Sequence, residues 1–408
     1  MKKFSLLVII LVLFAACADI PVRPVRSFVD EIRKEYSPDS RTMIFNVEFS
    51  QSGKVVTLDG EMNSIAGHDS LVSRLQREGY TVADKIRLLP SEELAGKIYG
   101  VVNRSVANLR VEPSERSEMA NQAVLGTPLR IYKKQGGQYL VQTPDEYLGW
   151  MEGDAFTAMT PKQFGDWLNN EKIIYLADQG FVYEKADKNS APITDITATS
   201  LAKALDIKPG FVRIELPDGR SGYIEREACE HFEYWATRME YMSELKSKFT
   251  DSIIAKAKSF MGRPYLWGGT STKMMDCSGF TRIVYLLHGI YLPRDASQQV
   301  FVGKTVAEGK EQMDRLKPGD LLFFGRVLEN GKERITHTGI YLGNDLFIHE
   351  SGVVAIESFN PDHENYSAYR HNQFIRAKDV INHIGELGVM HVFNHPLFFR
   401  EELRKPMQ

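Results

Sequence analysis

Cys277 ends the loop Tyr265-Leu-Trp267-Gly268-Gly269-Thr-Ser-Thr-Lys-Met-Met-Asp276 and precedes Ser278-Gly279-Phe280 and an apolar, helix-compatible stretch from Thr281 to His288. A thiol at a helix N-terminus sits beside unsatisfied backbone N–H groups and the positive end of the dipole. That setting favours a lowered pKa and a thiolate able to attack a carbonyl. The same amides can receive the oxyanion that such an attack creates. Taken alone, a cysteine so placed reads more readily as a buried structural thiol.

A second segment changes that balance. Ile335-Thr336-His337-Thr338-Gly339-Ile340-Tyr341-Leu342 and Leu346-Phe347-Ile348-His349-Glu350 are β-rich runs on either side of Gly343-Asn344-Asp345, which reads as a hairpin turn. A three-residue loop centred on Gly343 predicts that His337 and His349 are cross-strand neighbours on one face, about 5 Å apart at Cβ. Such a pair suits a general base, His337, oriented by a second ring, His349, with the helix supplying Cys277 as nucleophile.

The elements that must carry this site belong to a chain of 408 residues, 43% hydrophobic, 11% aromatic and 25% charged, which predicts two to four domains at about 150 residues each. Fifty basic against 53 acidic side chains leave a net charge of −3, too little for a basic field, so a nucleic-acid partner is excluded. Three cysteines exclude a disulfide scaffold, and no Cys/His spacing fits zinc. Cys229 lies between Glu227 and Glu230, which predicts an inert thiol of raised pKa.

Met1-Lys2-Lys3 is followed by an apolar run from Phe4 to Ala16, broken only by Ser5, and then by Cys17. Such a run is too short for a mature membrane helix and suits an export signal. Phe14-Ala15-Ala16-Cys17 resembles a bacterial lipobox, with Phe14 where leucine is commoner. Residues 1–16 are therefore expected to be a signal peptide, with Cys17 the lipid-bearing first residue.

Residues 17–95 predict a small α/β unit: a helix at Val25–Tyr36, strands at Met43–Phe49 and Lys54–Leu58, a helix at Ser70–Glu78 and a strand at Tyr80–Leu89. It resembles BON-type domains of bacterial envelope proteins. Farther on, Tyr139-Leu-Val-Gln-Thr-Pro144-Asp145-Glu-Tyr147-Leu-Gly149-Trp150 is echoed by Val212-Arg-Ile-Glu-Leu-Pro217-Asp218-Gly-Arg-Ser-Gly222-Tyr223, at an offset of 73. Two copies of a short-strand β-barrel follow, the first at 97–158 and the second, with a linker helix ahead of it, at 159–232. Between them, Thr160-Pro161-Lys162-Gln163 has the form of a capped helix start. A long helix is expected from Phe232 to Met261, its Trp235, Met239, Met242, Leu245, Phe249 and Ile253 forming an interdomain core stripe.

Asn108-Leu109-Arg110 followed by Pro113 resembles the opening of bacterial SH3-like domains. Tyr265, Trp267-Gly268-Gly269, Asp276-Cys277-Ser278-Gly279-Phe280, Pro293-Arg294-Asp295-Ala296-Ser297-Gln298, Pro318-Gly319-Asp320-Leu321, His337-Thr338-Gly339-Ile340-Tyr341 and Ile348-His349 together resemble NlpC-type, papain-like cysteine peptidases of bacterial cell walls. With SH3-like modules ahead, the chain is similar to the γ-D-glutamyl-L-diamino-acid endopeptidase subgroup. Those enzymes cut peptidoglycan stem peptides after L-Ala-γ-D-Glu, often where L-Ala has a free amine.

The resemblance implies a multidomain α+β chain. A C-terminal papain-like α+β peptidase (233–382) follows two small SH3-like β-barrels and the small N-terminal α/β unit, and an extension (383–408) ends the chain. It makes Cys277 the nucleophile, His337 the base, His349 the orienting group and Tyr265 the phenol at the oxyanion. Asp295 then receives the substrate's amine, with Ser278, Asp276, Arg294 and Trp267 lining the same pocket and Glu118 and Tyr147 closing it from the first SH3-like module. No metal or organic cofactor is implied. The partners would be peptidoglycan-derived peptides, and the membrane through the lipid anchor. The chain would act as a monomer in the bacterial envelope, facing the periplasm or the outer surface. The rival readings are a non-catalytic wall-binding lipoprotein and an amidase or acyltransferase on the same scaffold.

Overall fold

The computed structural model describes residues 24–399, so the leader and Cys17 lie outside the described residues. The chain divides into two units, Met1–Leu88 and Leu89–Gln408. In the first, α1 (Val25–Tyr36) buries Val25, Phe28, Val29 and Ile32, the i, i+3, i+4, i+7 spacing of one helical face. β1 (Phe45–Ser52) and β2 (Val55–Met62) form an antiparallel hairpin. α2 (Ile65–Arg77) opens at Ser64, whose hydroxyl accepts from the Gly67 N–H, and β3 (Thr81–Leu88) returns parallel to β2. Phe28, Ile32, Val47, Leu58 and Leu71 share one core. The unit ends at Leu88, short of the expected residue 95, because Leu94 is buried in the next core and the Ser91 N–H donates to the Tyr132 carbonyl.

The second unit opens with β4 (Tyr99–Val102), β5 (Val106–Arg110), β6 (Met119–Val124), β7 (Pro128–Gln135), β8 (Gln138–Gln142), β9 (Leu148–Glu152) and β10 (Phe156–Met159). After α3 (Pro161–Asn169), whose Thr160 and Gln163 form a capping box, come β11 (Lys172–Tyr175), β12 (Gln179–Tyr183), β13 (Pro192–Thr197), β14 (Leu201–Lys208), β15 (Phe211–Glu215), β16 (Ser221–Glu225) and β17 (Cys229–His231). The first seven strands lie in the order β10-β4-β7-β8-β9-β5-β6 and the second seven in the order β17-β11-β14-β15-β16-β12-β13. Strand for strand these are one topology, and β8 and β15 hold the two halves of the sequence echo.

The single helix expected over 232–261 is two: α4 (Phe232–Glu244) and α5 (Lys246–Lys258), broken at Leu245, whose ψ of 57° is not helical. Trp235, Met239, Phe249 and Ile253 still join one core. β18 (Thr270–Ser271) and β19 (Met274–Met275) frame the loop before α6 (Cys277–Leu286), every residue of which is buried. After β20 (Ile290–Tyr291) and α7 (Ala296–Gln299) come β21 (Lys304–Glu308), β22 (Leu321–Val327), β23 (Glu333–Gly343), β24 (Leu346–Ser351), β25 (Val353–Ser358), α8 (Ala368–Gln373) and β26 (Phe374–Asp379). The strands form a six-stranded sheet, β21-β26-β22-β23-β24-β25. Phe280, Ile283 and Val284 of α6 share a core with Phe323, Ile340 and Ile348 of that sheet. The C-terminal extension is woven in: β27 (Met390–His391) pairs with β20, and Phe398 and Phe399 pack on Phe232.

Candidate active site

Cys277 is the first residue of α6, and Asp276 is its N-cap, accepting from the Gly279 N–H at 2.7 Å. Asp276 also accepts from the Gly268 N–H at 3.0 Å and takes both arms of Arg294, at 2.6 and 3.2 Å. This fastens the preceding loop to the helix start and fixes the thiol between them. Gly268 has to be glycine. Its φ is +78°, and an added Cβ would lie 2.4 Å from the Met119 carbonyl oxygen of the first seven-stranded sheet.

The backbone N–H groups of Ser278 and Thr338 face the Cys277 sulfur and favour its thiolate. The Thr338 N–H belongs to the peptide that follows His337, so the thiol lies against the strand that carries the histidine. The sequence predicts a lowered thiol pKa; the structure reverses the sign. The residue is 8% exposed, and burial, then Asp276, pushes the thiol up to about 12 despite both amides and Arg294. His337 is pushed the other way, well below its ordinary value, by burial, then by Arg370 and His349. Both groups are therefore neutral near pH 7, and the thiol needs a base at the moment of attack.

His337 and His349 meet, but not in the expected register. The loop has two residues, Asn344 and Asp345, both at positive φ, as a type I′ turn requires, with an irregularity between Tyr341 and Gly343. Gly339 stands opposite His349, two places from the expected pairing. A slip of two preserves the face. The rings sit edge to face, with His337 Nε2 2.7 Å from His349 Nδ1. His337 Nδ1 is the nitrogen left for the thiol.

Beside the sulfur a cavity of about 350 Å³ is lined by Tyr265, Trp267, Asp276, Cys277, Ser278, Arg294 and Asp295, and by Glu118 and Tyr147 from the first sheet. Tyr265 is held in the phenol form, its pKa raised by burial, then by Cys277 and Asp276. Asp295 caps α7 and receives a hydrogen bond from the Tyr147 hydroxyl at 3.2 Å. Trp267, 62% exposed, donates through its indole N–H to Glu118 at 2.7 Å, joining the two walls. Asp276 and Arg294 line the cavity as expected, with their charges turned toward each other. Arg294 is 1% exposed and its charge is spent on Asp276, while the Ser278 hydroxyl sits between the two, at 3.2 Å from Asp276 and 2.9 Å from Arg294. They build the pocket floor. Away from the site, Cys229 has a thiol pKa raised to about 11, by burial and not by its flanking carboxylates.

Three residues of this neighbourhood were not singled out from sequence. Glu350 is 0% exposed, and neither carboxylate oxygen has a hydrogen-bond partner among the described residues. Burial, then Asp276, pushes its carboxyl up to about 8. Glu357 lies 3.4 Å from His349 Nε2, and Arg370 of α8 lies within electrostatic reach of His337, Cys277 and Glu357. Glu350 follows His349 directly and could have been noticed as a carboxylate in a buried strand. Glu357 and Arg370 carry no local signal.

Residues 262–376 match the NlpC/P60 family and residues 109–156 match the bacterial dipeptidyl-peptidase SH3 domain. The chain is 27% identical over 241 residues to the gamma-D-glutamyl-L-lysine dipeptidyl-peptidase of Bacillus cereus, across 57% of this chain and 67% of that protein. It is 28% identical over 289 residues to dipeptidyl-peptidase 6 of Lysinibacillus sphaericus, across 65% and 93%. A solved structure of an NlpC/P60 family protein from Bacillus cereus shares the fold, with a TM-score of 0.56 at 21% identity, over 69% of this chain and 99% of that one. With a thiol at a helix start, an imidazole pair carried by the sheet against which it lies and an SH3 domain walling the same cavity, the chain carries an NlpC/P60 domain behind a bacterial SH3 domain and is a cysteine peptidase.

Proposed function

We propose that this chain is a γ-D-glutamyl-L-diamino-acid endopeptidase, hydrolysing peptidoglycan stem peptides after L-Ala-γ-D-Glu when L-Ala carries a free amine. One observation carries the reading: the Asp295 carboxylate, at the cavity that reaches Cys277, receives the hydroxyl of Tyr147 from the SH3 domain. A carboxylate held ready by a hydroxyl is a receptor for an ammonium group, and a substrate without one leaves that charge unmatched. Glu118 adds a second acidic group on the same wall, and the name of the Bacillus cereus relative agrees with this substrate class.

In this reading the Cys277 sulfur attacks the γ-carbonyl of D-Glu while His337 Nδ1 takes the thiol proton, and the oxyanion is met by helix-start amides and the Tyr265 hydroxyl. His337 returns the proton to the amine of the diamino acid as the C–N bond breaks, and water then releases L-Ala-D-Glu from the thioester. The same reading takes the second seven-stranded sheet as a second SH3-like barrel and the first 16 residues as an export signal ending at a lipid-bearing Cys17. The enzyme is then a monomer tethered in the envelope.

Chromatography of products from synthetic L-Ala-γ-D-Glu-L-Lys tests the proposal. L-Ala-D-Glu is expected from the parent, none from Cys277→Ala, and no change with a chelator. Release by Cys277→Ala, or loss of activity with the chelator, would refute the mechanism; cleavage at another bond would refute the substrate.

A further inference from the structure

His349 is 1% exposed, and its Nε2 has no hydrogen-bond partner among the described residues; neither has Glu357 Oε2, the oxygen that faces it at 3.4 Å. Glu357 as a whole is partly exposed, with 32% of its side chain open, yet this one oxygen is sealed from solvent. Two buried polar atoms of opposite character, each lacking another partner, are each other's partner at slightly more than hydrogen-bond length. β24 and β25 set them there: His349 stands opposite Ala355 in the ladder, which brings residue 357, two places on and on the same face, alongside it. Besides His349, Glu357 faces Ser367, which donates to it, and Arg370. Together these hold its carboxyl below the ordinary value although burial opposes them.

We propose that Glu357 is a fourth, positioning member of the site, fixing which nitrogens of both histidines carry protons. This rests on the reading of Cys277 as nucleophile and His337 as base. A carboxylate can only accept, so His349 must place its proton on Nε2, leaving Nδ1 as a lone pair. That lone pair lies 2.7 Å from His337 Nε2, which must then be the donor. His337 is left with an unprotonated Nδ1, the form a base beside a thiol requires. When His337 becomes an imidazolium during attack, the Glu357 charge supports it through the intervening ring. No atom of Glu357 touches the reacting bond.

Glu357→Gln removes the charge and allows the amide to present either an acceptor or a donor to His349. kcat is expected to fall on the order of 10- to 100-fold, with KM changed less than about twofold. The acidic limb of the kcat/KM profile should move to lower pH, because the histidine pair loses the anion that favours its protonation. A purely structural loss would lower activity and leave that limb in place. Independently, ring-15N NMR of the Cys277→Ala protein should show His349 protonated at Nε2, and this needs no Glu357 variant to fold. An unchanged kcat and pH limb in folded Glu357→Gln, or a His349 proton on Nδ1, overturns the proposal. Failure of the underlying reading has a different signature, namely activity that survives Cys277→Ala.

Discussion

Replacing Asp295 by Asn separates amine recognition from everything else Asp295 does. Asparagine is as good an N-cap as aspartate, so α7 keeps its start. Arg294 keeps its bidentate partner Asp276 at 2.6 and 3.2 Å, so no buried cation is orphaned. What disappears is a negative charge. Two unit charges about 4 Å apart interact by roughly 4 kcal/mol at an effective dielectric of about 20. The side chain of Asp295 is 27% exposed and lies 3.8 Å from Arg294 Nη1; solvent and that cation both weaken its pull. About 2–3 kcal/mol should remain, roughly a 30- to 160-fold loss in kcat/KM on L-Ala-γ-D-Glu-L-Lys. The assay compares this peptide with its N-acetylated form. The parent should prefer the free amine by at least that factor, and Asp295→Asn should turn over both peptides at similar, low rates. An equal fractional loss on both peptides would refute the reasoning, since damage to the helix start does not depend on what the substrate carries at its far end.

Two further outcomes follow from the same geometry. Tyr265→Phe removes the hydroxyl assigned to the oxyanion and keeps the ring; kcat should fall about 100-fold with KM nearly constant, and steady-state rates within twofold of the parent would remove Tyr265 from the mechanism. Glu350, with its carboxyl at about 8 against about 4.3 in an unfolded chain, holds a proton in the native state over a pH range where the unfolded chain has lost it. Stability should therefore fall as pH rises from about 4.3 to 8, by at most roughly 5 kcal/mol, and Glu350→Gln should raise Tm by several degrees at pH 8.5 with little effect at pH 4.5. An equal shift at both values would show that titration is not the cause.

The residues assigned to the chemistry were legible because each sits in a local pattern. Cys277 stands where a loop meets an apolar helix, and His337 and His349 flank a turn whose residues tolerate positive φ. The register was missed by two because sequence marks the turn region without saying whether Gly343 belongs to the loop or to the strand. The parity of the slip saved the outcome, since alternate residues share a face. The thiol pKa was missed for a different reason. Sequence announces the helix terminus, which lowers it, but burial is a sum over everything the fold packs around the sulfur, and that sum wins. Glu357 and Arg370 were invisible because their importance comes only from the register of β24 against β25 and from where α8 is set down.

The end of the cavity at Asp295 belongs to neither domain alone. Asp295 comes from the peptidase domain and Tyr147 from the turn between β8 and β9, so the pocket is only as well defined as the seam between them. That seam is built from buried polar contacts with directional demands. Thr270 N–H donates to Gln122 Oε1 and Gln122 N–H to Thr270 Oγ1, each at 3.1 Å. Arg282 reaches Asp145, whose side chain is 0% exposed, at 3.2 Å, and His395 of the C-terminal extension donates to the Pro144 carbonyl at 2.8 Å. The last two grip residues 144 and 145 of the turn that delivers Tyr147. Apolar surfaces alone tolerate sliding, whereas a buried ion pair and fixed donor–acceptor pairs permit one docking geometry. The extension, with Leu397 packed beside Val101, Phe164 and Trp167 and Phe398 on Tyr291, therefore acts as a strap across the seam. Under the proposed function its effect on specificity is exerted some way from the sulfur, by holding a tyrosine against a carboxylate.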